Sequence, residues 1–517
     1  MLKSTLAAAL TSAALLAAPV AEAQSVTVAL NADIRSTNPG VNRDDNTDGV
    51  ELNMVEGLVG YRENGTVGPL LAEKVDQSED GLTYTFHLRK GVKFHNGAPF
   101  SSADVLWSWQ RYMDPKTEWR CIADFDGRNG LKVTSATAPD ADTFVLKIDK
   151  PSALFLDSLA RTDCGMTAIL NKASVNADGS WNQPIGTGPF KFVEWKHGES
   201  VTLTRFDDYV SPPGDKVDGY VGNKKPLVKD VKFLVVPDAS TAKAGLLSGA
   251  IDIAQIQDSD AAELKQSGTV QVLTPTSAVK HVLLFQTRDP VLQNVKLRQA
   301  IAAALDMPQL VAAASEGFGT PNNSPIPAAS AYSDATQRQG YAYDPAKAKK
   351  LLAEAGYKGE PIKIIANKRL TVPSFPVAVM AQAMLQAVGI NVEIEVLEWA
   401  TQLDRYNKGN YQMMSFTYSS RLDPALSIEQ FTGPKDKQPR KVWDNPEAQA
   451  LLDKASVLSD PAERQKLFDE LYSRQLADTP LIILYNSVEV SAQGKRIQGQ
   501  PYWEGKQRLW GVSLAEK

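Results

Sequence analysis

Cysteine, histidine and long apolar runs are what this 517-residue chain has least of, and each shortage removes a class of function. Two cysteines and four histidines, with no cluster of them, argue against a zinc, iron–sulfur or haem protein. No stretch beyond the N-terminus approaches eighteen apolar residues, so nothing there reads as a membrane span. The sequence has no GxxxxGK[ST], no HExxH and no GxSxG, so the common phosphate-loop, zinc-protease and serine-hydrolase patterns are missing. Basic excess is missing too. With 55 basic and 60 acidic residues the formal charge is -5, which gives no electrostatic reason to bind nucleic acid or an anionic membrane.

What is present is an ordinary globular mixture, 43% apolar and 22% charged, too long for one hydrophobic core. The first residues read as an address. Lys3 is a short positive region, Leu6 to Val20 an apolar run, and Ala21-Glu22-Ala23 a small-x-small cleavage pattern. The expectation is export to the periplasm with the cut after Ala23. In that oxidising compartment Cys121 and Cys164, 43 positions apart, are candidates for a disulfide, two separate buried thiols being the alternative.

Helix and strand signals interleave along the chain. Asp344-Pro345 and Asp460-Pro461 each place an N-cap before proline, and Gly356 stops the first of these helices. Asp238 caps Ala239 to Ser248, with Gly249 after it, and Phe375 to Val388 reads as a helix closed by Gly389. Strands are predicted at Ile251 to Ala254, Val392 to Leu397 and Leu481 to Tyr485. In Thr83 to Leu88 the residues Tyr84, Phe86 and Leu88 share a face. The class is therefore α/β with mixed sheets. Ser211 to Lys225 and Phe318 to Gly340, rich in Pro, Gly, Asn and Ser, read as surface loops. Gly186-Thr187-Gly188-Pro189 begins like a phosphate loop, but Pro189 lacks an N–H, so it reads as a structural turn. The four histidines, His87, His95, His197 and His281, have no neighbours at metal-ligand spacing.

One segment is more specific. Leu71 to Arg111, LAEKVDQSEDGLTYTFHLRKGVKFHNGAPFSSADVLWSWQR, holds two turn signals and a capping-box start at Ser101-x-x-Asp104. It closely resembles the hallmark of the family 5 extracellular solute-binding proteins of ABC importers, the peptide, dipeptide and nickel group. Pro184 to Phe190, Leu246 to Ile253, Val295 to Asp306 and Tyr343 to Tyr357 resemble further family segments in the same order.

That resemblance implies a two-lobed periplasmic-binding-protein clamshell with an extra subdomain in the first lobe. Residues 24–273 would form lobe I, with the subdomain at about 51–182. Residues 274–485 would form lobe II, and 486–517 a tail returning to lobe I. It implies a monomer that encloses a solute and delivers it to an ABC permease and its ATPase subunits, with no cofactor and no bond made or broken. The leading solute is a peptide or peptide-like molecule bearing a carboxylate. A nickel- or haem-chelate or opine receptor is the alternative within the family, and an exported hydrolase the alternative outside it.

Candidate ligand residues cluster in Phe416 to Pro424, FTYSSRLDP. Peptide-binding members resemble one another in an aspartate that anchors the ligand amine. Here that place holds Ser420, followed by Arg421, with Asp423 as a possible substitute. Lys368 and Arg369 follow a predicted strand, where dipeptide binders place a carboxylate-binding arginine. A lobe-internal salt bridge from Arg369 or Arg421 to Asp423 is the competing structural reading. Trp399 and Tyr418 are candidate cleft aromatics, although aromatics more often serve a core. The charged loop Arg43 to Asp48 lies near the first strand.

Overall fold

A computed structural model describes residues 24–42, 44–369 and 372–515. The expected signal segment and Arg43 lie outside the described residues. Two large sheets organise the chain. The first has seven strands in the order Val270–Leu273, Ser491–Gly494, Ile253–Gln255, Ser25–Leu30, Asp230–Val235, Ser200–Arg205 and Phe190–Lys196. Its central strand Ser25–Leu30 runs parallel to both neighbours, while the flanking pairs are antiparallel, so the sheet is mixed. The half of the molecule built on it is lobe I.

Lobe II is built on five strands in the order Val392–Val396, Ile362–Ala366, Met413–Tyr418, Thr276–Phe285 and Leu481–Val488. Thr276–Phe285 and Leu481–Val488 are buried over most of their length because helices cover both faces, which is why they read as apolar runs rather than alternations. A four-stranded antiparallel sheet, in which Thr83–Leu88 pairs with Ala72–Gln77 and Thr143–Ile148, forms a satellite of lobe I. Tyr84, Phe86 and Leu88 point into its aromatic core, where Trp119 stacks on Phe125 at 5.5 Å. Cys121 and Cys164 are joined in a disulfide beside that core, with Cα atoms 5.8 Å apart.

The local signals have local causes. Asp344 accepts from Lys347 N and Asp460 from Glu463 N, starting helices Pro345–Ala355 and Pro461–Asp478. Gly356 and Gly249 end their helices at positive φ, +69° and +76°. Ser101 and Asp104 form the reciprocal capping box of helix Ser102–Met113. Gly186 to Pro189 is a packed turn: Gly188 N–H donates to Met54 O at 3.0 Å, and a Cβ on Gly186 would lie 2.4 Å from that same oxygen.

The two Gly/Pro/Asn-rich stretches depart from the surface-loop expectation. Each carries polar side chains into the interior. Lys224 is fully buried against Glu56, and Asn323, Ser324 and Gln337 are buried with Asn323 donating to Ile483 O at 2.6 Å. Composition alone cannot tell a solvated loop from one whose polar groups find partners inside.

Two short segments carry the chain between the lobes. Thr274-Pro275 joins Val270–Leu273 to Thr276–Phe285, and Glu489-Val490 joins Leu481–Val488 to Ser491–Gly494. They run side by side, since Leu273 pairs with Ser491, Thr276 pairs with Val488, and Glu489 N–H donates to Pro275 O at 2.8 Å. A paired two-strand crossing can twist or flex as a unit while the sheets on either side stay intact.

Candidate functional site: the seam between the lobes

The lobes meet along a polar seam. Ala153 N–H of lobe I donates to Ser456 O of lobe II, and Ala331 N–H of lobe II to Asn64 O of lobe I, each at 2.9 Å. Leu154 packs into the lobe II core and Leu422 into the aromatic core of the satellite. Near the crossing, the tail hairpin Tyr502–Trp503/Lys506–Gln507 brings Glu504 to lobe II. Glu504 Oε2 accepts from Ser420 Oγ at 2.9 Å and from Ala278 N–H at 3.1 Å.

Each sequence candidate has a definite place. Ser420 and Arg421 lie together on the lobe II side of the seam, in the loop after Met413–Tyr418. Arg421 Nη1 donates to Ser420 O at 2.7 Å and to Ser419 Oγ at 3.2 Å. Arg369 and Trp399 form a second pair, guanidinium over ring at 4.8 Å, with Trp399 also stacked on Phe416 at 5.9 Å. Lys368 lies over Phe375.

Two candidates, Tyr418 and Asp423, lie in packed surroundings. Tyr418 is a core residue, its ring 5.3 Å from Phe416 and 6.3 Å from both Tyr406 and Phe431. Asp423 is a structural acid. It caps helix Pro424–Glu429 through Ala425 N–H, and both its oxygens receive Arg464 at 2.8 and 2.9 Å. The arginine that pairs with it comes from helix Pro461–Asp478, not from Arg369 or Arg421. Three donors already occupy the buried carboxylate, and its charge is matched by the bidentate Arg464.

Three buried ionisable residues at the seam were not picked out by sequence reasoning. Lys280 is fully buried in an apolar strand, its Nζ held by Ser427 Oγ and Gln430 Oε1 at 2.8 Å each. Burial, then the positive charge of Arg421, pushes its pKa down to about 7, while Glu504 opposes the shift. The second is Glu504. Burial raises its carboxyl above the usual range, against Ala278 N–H, Ser420, Lys506 and Lys280. The third is Asp157, on the satellite helix Phe155–Ala160. Burial and then the charge of Asp423 across the seam raise it well above the usual range, with Arg464 opposing. A lone lysine in VKHVLLF and a lone acid in FLDSLA were the available signals. Only the fold brings them to one boundary.

The lobe I side of this boundary is acidic. Asp44 caps helix Asp45–Glu51, and Asp45 meets Lys506 Nζ at 3.1 Å. Asp48 is buried beside them and pushed up to about 7 by burial, with Lys506 opposing.

Of the histidines, His281 is buried and His95 partly buried. His95 bonds Gly188 O at 3.0 Å and burial lowers it to about 4; His281 meets Thr417 Oγ1 at 3.0 Å and burial lowers it to about 3. Among the described residues one cluster of three potential metal donors occurs, Cys121, Asp124 and Cys164, and both its sulfurs are in the disulfide. Among them, too, no helix is long and apolar enough to cross a membrane.

Comparison with known proteins points one way. The family described as "Bacterial extracellular solute-binding proteins, family 5 Middle" matches residues 66–439. The chain is 29% identical to Heme-binding protein A of Haemophilus influenzae, over 89% of this chain and 86% of that one. It is 27% identical to the glutathione-binding protein GsiB of Pectobacterium atrosepticum, over 96% and 95%. Among solved structures, HbpA2 of Haemophilus parasuis superposes with a TM-score of 0.82 at 27% identity, covering 95% of this chain and all of that one. DppA of Helicobacter pylori in complex with the peptide STSA superposes at 0.69 and 26% identity, covering 95% and 98%.

Proposed function

This chain belongs to the family 5 bacterial extracellular solute-binding proteins, and from that premise we propose that it captures a peptide-like solute bearing a carboxylate between its lobes. The family's role is plain: a non-enzymatic binding component of an ABC transporter, binding a small solute or peptide. The solute is the open part. Relatives are named for haem and for glutathione, and a solved relative holds a peptide.

Charge placement at the seam carries the reading. Arg421 and Lys280 set two positive groups side by side on lobe II, and Glu504 faces them from lobe I. A carboxylate against Arg421 would gain charge-assisted hydrogen bonds and also relieve the repulsion that lowers Lys280. The acidic surroundings of helix Asp45–Glu51 suit the ammonium of the same zwitterionic molecule. Binding energy from contacts on both lobes would shift the population toward the closed form, which the permease then reads. Export through the N-terminal segment and a periplasmic location belong to the same proposal, as do lobe boundaries after residue 273 and at the Glu489-Val490 crossing.

The test is calorimetry with trialanine, glutathione and haem as probes. Trialanine or glutathione should bind, and Arg421→Ala should weaken that binding roughly ten- to a hundred-fold, the loss of a hydrogen bond to a charged group. Haem binding without either peptide, or a C-terminally amidated peptide binding as tightly as the free acid, would overturn the reading.

A further inference from the structure

We propose that Glu504 is a positioning residue for closure, a side chain from the C-terminal tail that ties lobe II to lobe I beside the crossing segments. Its Oε2 receives Ser420 Oγ from one lobe II loop and Ala278 N–H from the strand that leaves the crossing. Two separate elements of lobe II therefore converge on one oxygen of lobe I.

The backbone supports the assignment independently. Glu504 and Gly505 are the two loop residues of the hairpin, since Trp503 pairs with Lys506. Both have positive φ, +49° and +78°, as a two-residue hairpin of the primed type demands. Asn-Gly is the favoured pair for such a turn, and glutamate in the left-handed region is strained. A strained residue persists where its surroundings over-determine it, and such residues gather at clamps and switches. Glutamate stands where asparagine would suit the turn better, and its carboxylate reaches Ser420 at 2.9 Å.

Location adds a third argument. Glu489, in the crossing itself, lies against the same turn, with the Gly505 N–H facing its carboxyl. Crossing, turn and lobe II loop are thus in direct succession. The bonds to Glu504 span the two lobes beside the crossing. Closure by hinge motion is the premise here; the identity of the solute is not.

The experiment uses the whole protein without added solute, so a wrong solute leaves its result untouched. Hydrogen–deuterium exchange reads the Ala278 N–H, solution scattering reads the radius of gyration, and thermal melting reads the fold. Glu504→Asn should speed exchange at Ala278 by up to roughly tenfold, the weight of one hydrogen bond. It should also enlarge the radius, with a melting point equal to or above wild type. Glu504→Gln, which keeps an acceptor at the same reach, should stay close to wild type. Ser420→Ala should act in the same direction as Glu504→Asn and add nothing to it. Unchanged exchange at Ala278 in Glu504→Asn would overturn the proposal. So would equal losses in the Gln and Asn variants, a melting point that falls in step with exchange, or additive effects of the two sites.

Discussion

Glu56 and Asp157 are both buried carboxyl groups, yet the protein treats them oppositely. Glu56 lies inside lobe I. Burial pushes its pKa up, but Lys224 and Arg89 outweigh this and hold it below the usual range. Lys224 Nζ, Tyr209 Oη and Thr187 Oγ1 all donate to it, at 2.9, 2.7 and 3.0 Å. Asp157 lies at the seam. It faces a second carboxylate, Asp423, whose arginine is already engaged from both sides, and so it is pushed up. The lesson is positional. Inside lobe I, Glu56 has a cation within bonding distance, Lys224 Nζ at 2.9 Å. At the seam a carboxylate rather than a cation is the strongest charge acting on Asp157, so burial and then that charge both push it up.

The sharpest way to break this comparison is to make Glu56 resemble Asp157. Lys224→Met removes the ammonium and leaves a buried carboxylate uncompensated. Denaturant unfolding should show a loss of about 3–5 kcal/mol. Glu56→Leu combined with Lys224→Met should recover part of it, because the apolar pair buries no charge while Tyr209 and Thr187 lose their acceptor. Equal losses in the single and double variants would mean that Glu56 and Lys224 are not coupled as described.

Next in size is the effect of pH on closure. With the lobes apart, Asp157 regains water and its ordinary carboxylate pKa; with the lobes together its pKa is raised. The closed form therefore binds the extra proton. Its advantage is full below the open-state pKa and is lost as pH rises through the closed-state value, at about 1.4 kcal/mol per pH unit in between. Scattering of the solute-free protein from pH 4.5 upward should show the radius growing with pH. Asp157→Asn should reduce that dependence, leaving the share due to Glu504, which burial also raises. A radius that shrinks as pH rises would reverse the sign and refute the account.

The smallest expected effect concerns Arg369. Its guanidinium over Trp399 is an exposed cation–π contact, worth about 0.5–1 kcal/mol. Arg369→Ala should lower stability by that much, seen as a small shift in the denaturation midpoint. It should weaken solute binding less than Arg421→Ala does. A larger binding loss at Arg369 would move the anion site away from the seam and toward Trp399.

How much of this the sequence carried depends on the range of the interaction. Caps such as Asp344, Asp460 and Ser101 act over three residues, so a short window holds both partners, and the helices they start were legible. The strand Thr83–Leu88 was legible because alternation is itself local. Ser420 and Arg421 were singled out through the family resemblance, and the seam is where they sit. Their partner Glu504 lies 84 positions beyond Ser420, in a tail with no periodicity to mark it. Asp423 misled because a carboxylate beside proline reads equally as a cap and as an anchor; the deciding residue, Arg464, is 41 positions away. Lys224 and Asn323 sit in stretches whose composition spells loop, and their burial follows from partners on other elements.

The central claim is that two lobes close over a solute and hold it by charge at the seam. Solution scattering with glutathione titrated into the whole protein at neutral pH tests this most directly. The account predicts a saturable fall in the radius of gyration to that of the compact arrangement described here, weakened in Arg421→Ala. Glutathione bound by calorimetry with no change in the radius would contradict it.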